Sequence, residues 1–200
     1  MYFTENNFIS EVLDGLVNSI KQSGVVCLPS DSCYGFSGLA FDKSAQDKLQ
    51  KIKSQPVSKP LSICLADKLD LYEFLKPSPI LDIFIEEFLP GKITLIAESK
   101  KGDLLGVRVS DHLLMQQLIK QLGVPIFTTS ANMHKKPACY SIEELKLQLN
   151  NNFDKIDSVV DLGVLDFSNP STIVKISDNS LEIIREGDLA PLIKERFIIQ

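Results

Sequence analysis

The residues able to do chemistry gather in short polar stretches between apolar ones. They are Pro29-Ser30-Asp31-Ser32-Cys33-Tyr34-Gly35, Lys53-Ser54-Gln55-Pro56-Val57-Ser58-Lys59-Pro60, Val107-Arg108-Val109, Thr128-Thr129-Ser130-Ala131-Asn132 and Asn169-Pro170-Ser171-Thr172, followed by Arg185-Glu186-Gly187. Hydroxyls and amides at strand ends suit the carboxylate and ammonium of an amino acid, and nearby lysine and arginine suit a triphosphate. Each stretch alone has a plainer reading. Ser30, Asp31 and Ser32 are ordinary turn formers, and Lys53 is a solvated charge complementing a helix dipole. Arg108, between Val107 and Val109, either faces solvent or is buried against an anion.

Other chemistries find no support. His112 and His134 are flanked by polar or basic residues and read as rim histidines, so no serine-histidine-acid set forms. Cys33 beside Tyr34 reads as a small buried thiol, with no basic partner to activate it. The glycines match neither G-x-x-x-x-G-K-[ST] nor G-x-G-x-x-G. The four cysteines (Cys27, Cys33, Cys64, Cys139) have no zinc-ligand spacing and suit a reducing compartment. A formal net charge of −5 argues against a broad nucleic-acid face but leaves room for a local basic pocket. The start, Met1-Tyr2-Phe3-Thr4-Glu5, does not read as a signal peptide, and no apolar run is long enough to cross a bilayer. A cytoplasmic protein of one domain, 1–200, is expected.

The elements that must position these stretches follow from periodicity. Phe8, Val12, Leu16 and Ile20, with Ile9 and Leu13, form an amphipathic helix ended by Gly24. Val25 to Leu28 is a buried strand stopped by Pro29, with a polar loop running on through Gly35. Asp42 caps a helix with Ala45, Leu49 and Ile52 on one side and Lys53 at its end. Leu61 to Leu65 is a strand, followed by helical stretches over 67–75 and 79–88. Ile93 to Ala97 and Leu105 to Val109 are strands, and Ser110 caps a helix that stops at Gly123. Val124 to Thr128 is a strand, and Ser141 with Glu144 makes a capping box. Ser158 to Leu162, Thr172 to Ile176 and Leu181 to Arg185 close the series. A mixed α/β fold with a twisted sheet and flanking helices is predicted.

Taken in order, seven blocks resemble the YrdC-like family: Pro29-Ser30-Asp31-Ser32-Cys33-Tyr34-Gly35-Phe36, Lys53-Ser54-Gln55-Pro56 with Pro60-Leu61, Pro90-Gly91-Lys92-Ile93-Thr94, Val107-Arg108-Val109-Ser110-Asp111-His112, Ser130-Ala131-Asn132, Pro170-Ser171-Thr172-Ile173 and Ile184-Arg185-Glu186-Gly187. A lone S-A-N carries nothing; the ordered set from about residue 24 to 187 is specific. The length resembles the single-domain bacterial TsaC-type form.

The resemblance implies a YrdC-like fold with a concave, locally basic pocket. It also implies synthesis of threonylcarbamoyl-adenylate and pyrophosphate from L-threonine, bicarbonate and ATP, for threonylcarbamoyladenosine modification of tRNA beside the anticodon. Ser32, Cys64, Arg108, Ser130 and Ser171 would hold threonine, and Lys53, Gln55, Lys59, Asn132, Tyr140 and Arg185 the nucleotide. Magnesium would come with ATP, with no protein metal site. A partner transferase would take the product, and direct tRNA contact would be weak. A non-catalytic nucleotide- or RNA-binding protein of the same fold is the alternative, and a carbamoyl-phosphate activity a third. Gln55 departs from the family's K-x-R arginine, Met133-His134-Lys135-Lys136 from its small glycine-containing turn, and Cys64 from a histidine found in some relatives.

Overall fold

The computed structural model describes residues 9–56, 60–177 and 180–197. Its organising element is a nine-stranded sheet whose strands are β1 (Val26–Pro29), β2 (Tyr34–Leu39), β3 (Ser62–Leu65), β4 (Ile93–Glu98), β5 (Leu104–Val109), β6 (Ile126–Ser130), β7 (Ser158–Val159), β8 (Thr172–Ser177) and β9 (Ser180–Arg185). Their order across the sheet is β7-β1-β2-β6-β3-β5-β4-β8-β9. The β1–β7, β3–β5 and β4–β8 pairs are parallel and the others antiparallel. The predicted mixed sheet with flanking helices is therefore the observed architecture.

Helices cover the sheet in three groups. Helix α1 (Ile9–Lys21) buries Val12, Leu13, Leu16, Val17 and Ile20; Phe8 lies outside the described residues. It packs with α5 (Leu113–Leu122) over Val26, Leu28, Cys64 and Ile126. On another face, α2 (Lys43–Lys53) and α6 (Ile142–Leu149) cover Tyr34, Phe36 and Phe127. The third group is α3 (Leu71–Phe74), α4 (Pro79–Phe88) and α7 (Ala190–Phe197), whose Leu71, Phe84 and Ile193 meet Ile63, Leu95, Val107 and Val174. Side chains alternate along a strand. With Ile63, Leu65, Val107 and Val109 in this last cluster, Cys64 and Arg108, register partners on β3 and β5, point to the opposite face.

Local chemistry accounts for the boundaries. Asp42 caps α2, its Oδ1 accepting from the Ser44 and Ala45 N–H groups at 2.8 and 3.2 Å, and Gly123 ends α5 in the left-handed region at φ 70°. Five expectations are corrected. The stretch read as loop through Gly35 contains β2, because its glycines mark close approach and not a turn. A Cβ on Gly38 would lie 2.7 Å from the Phe127 ring and 3.0 Å from the Gly24 carbonyl oxygen. Pro29 belongs to β1, paired with Tyr34 where the β7 ladder has already ended.

Helix α5 begins after His112, while Ser110 Oγ accepts the His112 N–H at 3.2 Å one step earlier. In the third place, then, Ser110 braces the approach to the helix and is not its cap. The Ser141–Glu144 box is half formed: Ser141 Oγ accepts the Glu144 N–H, but the Glu144 carboxylate takes the Tyr140 N–H. Strand β7 is also shorter than predicted, because the Tyr34 hydroxyl accepts the Leu162 N–H at 3.0 Å and donates to the Gly163 carbonyl at 2.8 Å. These bonds turn the chain at Gly163 (φ 82°). No helix among the described residues is long and apolar enough to cross a membrane.

Candidate functional site

Polar groups converge where β1, β5 and β6 end and β8 begins. Lys53, at the last position of α2, is 3% exposed. Its Nζ donates to the Ser130 carbonyl at 2.5 Å and to Asn132 Oδ1 at 2.7 Å, and lies 5.4 Å from the centre of the Phe36 ring. The surface role first expected of this lysine is replaced by a buried one. Ser130 Oγ donates to the same Asn132 Oδ1 at 2.8 Å. The Asn132 amide then donates to the Met133 and Lys136 carbonyls, tying down the basic turn that departs from the family pattern.

A second group surrounds the start of β8. The Arg185 guanidinium donates to the Ser171 carbonyl through Nε (3.0 Å) and Nη2 (2.7 Å), and Nη2 also reaches Ser171 Oγ at 2.9 Å. Ser171 Oγ lies 3.1 Å from Thr94 Oγ1 on β4. Gly187 allows this closeness, since a Cβ there would stand 2.4 Å from the Pro170 carbonyl oxygen and 2.7 Å from Thr172 N.

Arg108 bridges the groups. Its Nη2 donates to both Asp31 carboxylate oxygens, at 2.7 and 2.9 Å, and the Asp31 side chain is 2% exposed. Of the two readings of Arg108, burial against an anion is the observed one, and the anion is internal. Arg108 Nε is buried without a hydrogen-bond partner. Burial, and then the like charge of Arg108, pull the pKa of Arg185 down, so the two guanidiniums share one electrostatic neighbourhood. Two such cations favour an anion between them. Burial raises Cys33, and it pushes Cys64 to about 11, so both thiols stay neutral. Burial lowers His112, with Asp31 and Asp111 opposing it, and His112 Nδ1 is buried without a partner.

Beside the Ser30–Ser32 turn opens a cavity of about 430 Å³ lined by Ser30, Asp31, Ser32, Lys92, Leu165, Asp166, Phe167, Ser168, Asn169 and Asp188. Tyr140 stands next to it, its hydroxyl donating to the Ser168 carbonyl at 2.9 Å and its ring touching Phe167. Of the predicted residues, Ser32 lines this cavity, Tyr140 adjoins it and Arg108 pairs with Asp31 of its wall; Lys53 with Ser130 and Asn132, and Ser171 with Arg185, form two further groups whose cations, like Arg108, act electrostatically on Cys33. Cys64 is fully buried beside Arg108 in the strand register. Gln55 does not join these groups: it is buried and lines a separate cavity with Phe41, Leu49, Leu61, Ile63 and Leu105. Lys59 lies outside the described residues.

Asp31, Thr94, Lys92 and Phe167 were not singled out by sequence reasoning. Thr94 and Lys92 sit within a recognised block, which signalled position without role. Asp31 looked like a turn former, and Phe167 carried no signal. Among the described residues no group of three or more His, Cys, Asp or Glu side chains is placed to hold a metal ion.

Comparison with known proteins matches this arrangement to a family. The Sua5/YciO/YrdC family, described as "Telomere recombination", matches residues 18–187. A provisionally named threonylcarbamoyl-AMP synthase of Methanocaldococcus jannaschii is 34% identical over 185 residues, covering 88% of this chain and 86% of its own length. The threonylcarbamoyl-AMP synthase of Mus musculus is 28% identical over 194 residues, covering 89% of this chain and 68% of its own. The structure of P. abyssi Sua5 complexed with L-threonine has the same fold, with a TM-score of 0.85 at 23% identity over 98% of this chain. The chain spans 59% of that Sua5 chain. With 170 consecutive residues matched, from 18 to 187, the chain belongs to the Sua5/YciO/YrdC family.

Proposed function

We propose that this chain forms threonylcarbamoyl-adenylate and pyrophosphate from L-threonine, bicarbonate and ATP, supplying threonylcarbamoyladenosine modification of tRNA. The observation that carries the reading is the gathering of three cations, Lys53 with Ser130 and Asn132, Arg108, and Arg185 with Ser171, around Cys33 at the end of the Ser30–Ser32 turn. The names of the similar M. jannaschii and mouse proteins and the threonine bound to P. abyssi Sua5 support it.

In this reading Arg108 takes the threonine carboxylate with help from Ser32, Ser130 and Ser171, and Cys64 backs the strand behind it. Threonine and bicarbonate give N-carboxythreonine with loss of water. Its new carboxylate oxygen bonds to the α-phosphorus of ATP as the bond to the pyrophosphate oxygen breaks. Such a transfer needs aligned reactants and neutralised charge more than a protein nucleophile. Lys53 and Arg185 supply that charge, with Asn132 and Tyr140 positioning the nucleotide. Magnesium, bound to the phosphate oxygens, would add neutralisation at the leaving group. The adenylate passes to a partner transferase, and a cytoplasmic location belongs to the same reading.

The test is pyrophosphate release by the purified protein with ATP, magnesium, bicarbonate and threonine. Release should depend on threonine and on bicarbonate. Release that ignores threonine, or none at millimolar substrates, overturns the proposal.

A further inference from the structure

We propose that Asp31 is a specificity residue acting as a placeholder: its carboxylate holds Arg108 until a ligand's own carboxylate displaces it. This rests on Arg108 being the group that takes threonine's carboxylate, as argued above, and adds what decides which ligands reach it.

A guanidinium offers a carboxylate two edges, Nε with Nη2 and Nη1 with Nη2, and both use Nη2. The two Asp31 oxygens lie on that shared nitrogen, at 2.7 and 2.9 Å. One internal carboxylate therefore closes both edges to a second. It fills neither edge, because Arg108 Nε is buried without a hydrogen-bond partner. A carboxylate lying along the Nε–Nη2 edge makes two parallel bonds and pairs the donor that Asp31 leaves unpaired. A buried donor without a partner is costly, so exchange on Arg108 runs toward the better-fitting anion. Arg108 keeps an anionic partner before and after the exchange, which spares the cost of an isolated buried cation.

Asp31 is placed both to be held and to be released. The turn that carries it is braced, with Ser30 donating to the Cys33 carbonyl from its N–H at 3.1 Å and from its hydroxyl at 2.8 Å. These local bonds keep the carboxylate on Arg108 while nothing competes for it. Among the described residues, Arg108 is also the one hydrogen-bond partner of that carboxylate. Asp31 lines the cavity of about 430 Å³ beside the turn, so rotation of its side chain brings the displaced charge to water. An amino acid amide has threonine's ammonium and side chain but no anion to offer Arg108. It cannot displace Asp31, and the site discriminates against it.

Calorimetric titration with L-threonine and L-threoninamide tests this. The unaltered protein should bind threonine and not the amide, and equal binding of the two overturns the proposal. Asp31→Asn keeps an acceptor but gives up the competing charge, so threonine should bind about tenfold more tightly. Unchanged affinity in the folded variant makes Asp31 a fixed brace, and weaker affinity makes it a partner of the ammonium; either result overturns the placeholder. Should the variant fail to fold, NMR of the unaltered protein decides. It has three arginines, Arg108, Arg185 and Arg196, so the Nε–Hε signals are few enough to assign. Saturating threonine should move the Arg108 signal downfield as Nε gains a partner, and an unmoved signal overturns the proposal. Absence of threonine binding overturns the proposed function and this inference together. Threonine-dependent pyrophosphate release with the Arg108 signal unmoved strikes this inference alone.

Discussion

Lys53→Met separates catalytic from structural roles most sharply, because the terms at this position nearly cancel for stability. Lys53 is 3% exposed, and burying its ammonium costs several kcal/mol. Two hydrogen bonds from a charged donor, to the Ser130 carbonyl and Asn132 Oδ1, return roughly 1.5–3 kcal/mol each. The Phe36 face adds about 2 kcal/mol for a desolvated cation. Methionine fills a similar volume without the charge. Asn132 Oδ1 keeps the Ser130 hydroxyl as donor, so the Ser130 carbonyl is the main group disturbed. Unfolding free energy should therefore change by no more than about 2 kcal/mol, read from urea titration with an unaltered slope. On the proposed role of Lys53 as a phosphate-neutralising cation, its loss should lower kcat/KM for ATP by about 10²–10³. If stability instead falls by more than about 4 kcal/mol and activity falls only with it, Lys53 is a strut for the β6 loop and the reasoning fails.

Arg108→Ala should destabilise the fold by about 3–5 kcal/mol, because it leaves Asp31 buried without its cation; adding Asp31→Asn should recover most of that loss in thermal unfolding, and no recovery would show the pair is not coupled. Tyr34→Phe unpairs the Leu162 N–H and the Gly163 carbonyl, so about 1–3 kcal/mol should be lost and hydrogen exchange at Leu162 should speed up. An unchanged exchange rate would contradict the bond. Gln55→Arg, which restores the family residue, should cost about 1–3 kcal/mol by overfilling the buried position of Gln55 beside Gln46, Leu49, Gln50 and Leu61, and should not lower the KM for ATP. A lower KM would return residue 55 to the phosphates. Burial makes folded His112 a weaker base than the unfolded chain's histidine, so the unfolded state gains protons first and stability falls as pH drops below about 6.5. His112→Gln should flatten the melting-temperature profile between pH 7.5 and 5.5, and an identical slope would refute it.

Elements with strong periodicity were legible because one physical cause, a single buried stripe, sets both sequence and structure. Val12, Leu16 and Ile20 in α1 and Ala45, Leu49 and Ile52 in α2 are examples, all of them buried. Strand β2 was not legible. Its sequence, Tyr-Gly-Phe-Ser-Gly-Leu, carries two glycines that locally resemble turn signals. Their cause is remote: Gly38 lies under the Phe127 ring of β6, which no window around residue 38 contains. Helix α7 falls beyond the last stretch read, its buried face limited to Ala190 and Ile193.

The candidate site divides along the same line. Residue types announced a polar pocket and the ordered blocks announced which family, but neither carries information about pairing. Asp31 and Arg108 are 77 positions apart, and only their meeting shows that the arginine's fork is partly occupied before any ligand arrives. Net charge misled in the same way. A chain of charge −5 was granted a local basic pocket, and Lys53, Arg108 and Arg185 do all act electrostatically on one buried residue, Cys33. Two carboxylates that line the adjoining cavity are likewise paired across the sequence, Asp31 with Arg108 and Asp188 with Lys92. Three cations gathered around one residue can neutralise a few phosphates but not a long backbone, which favours a nucleotide-using enzyme over a general nucleic-acid binder.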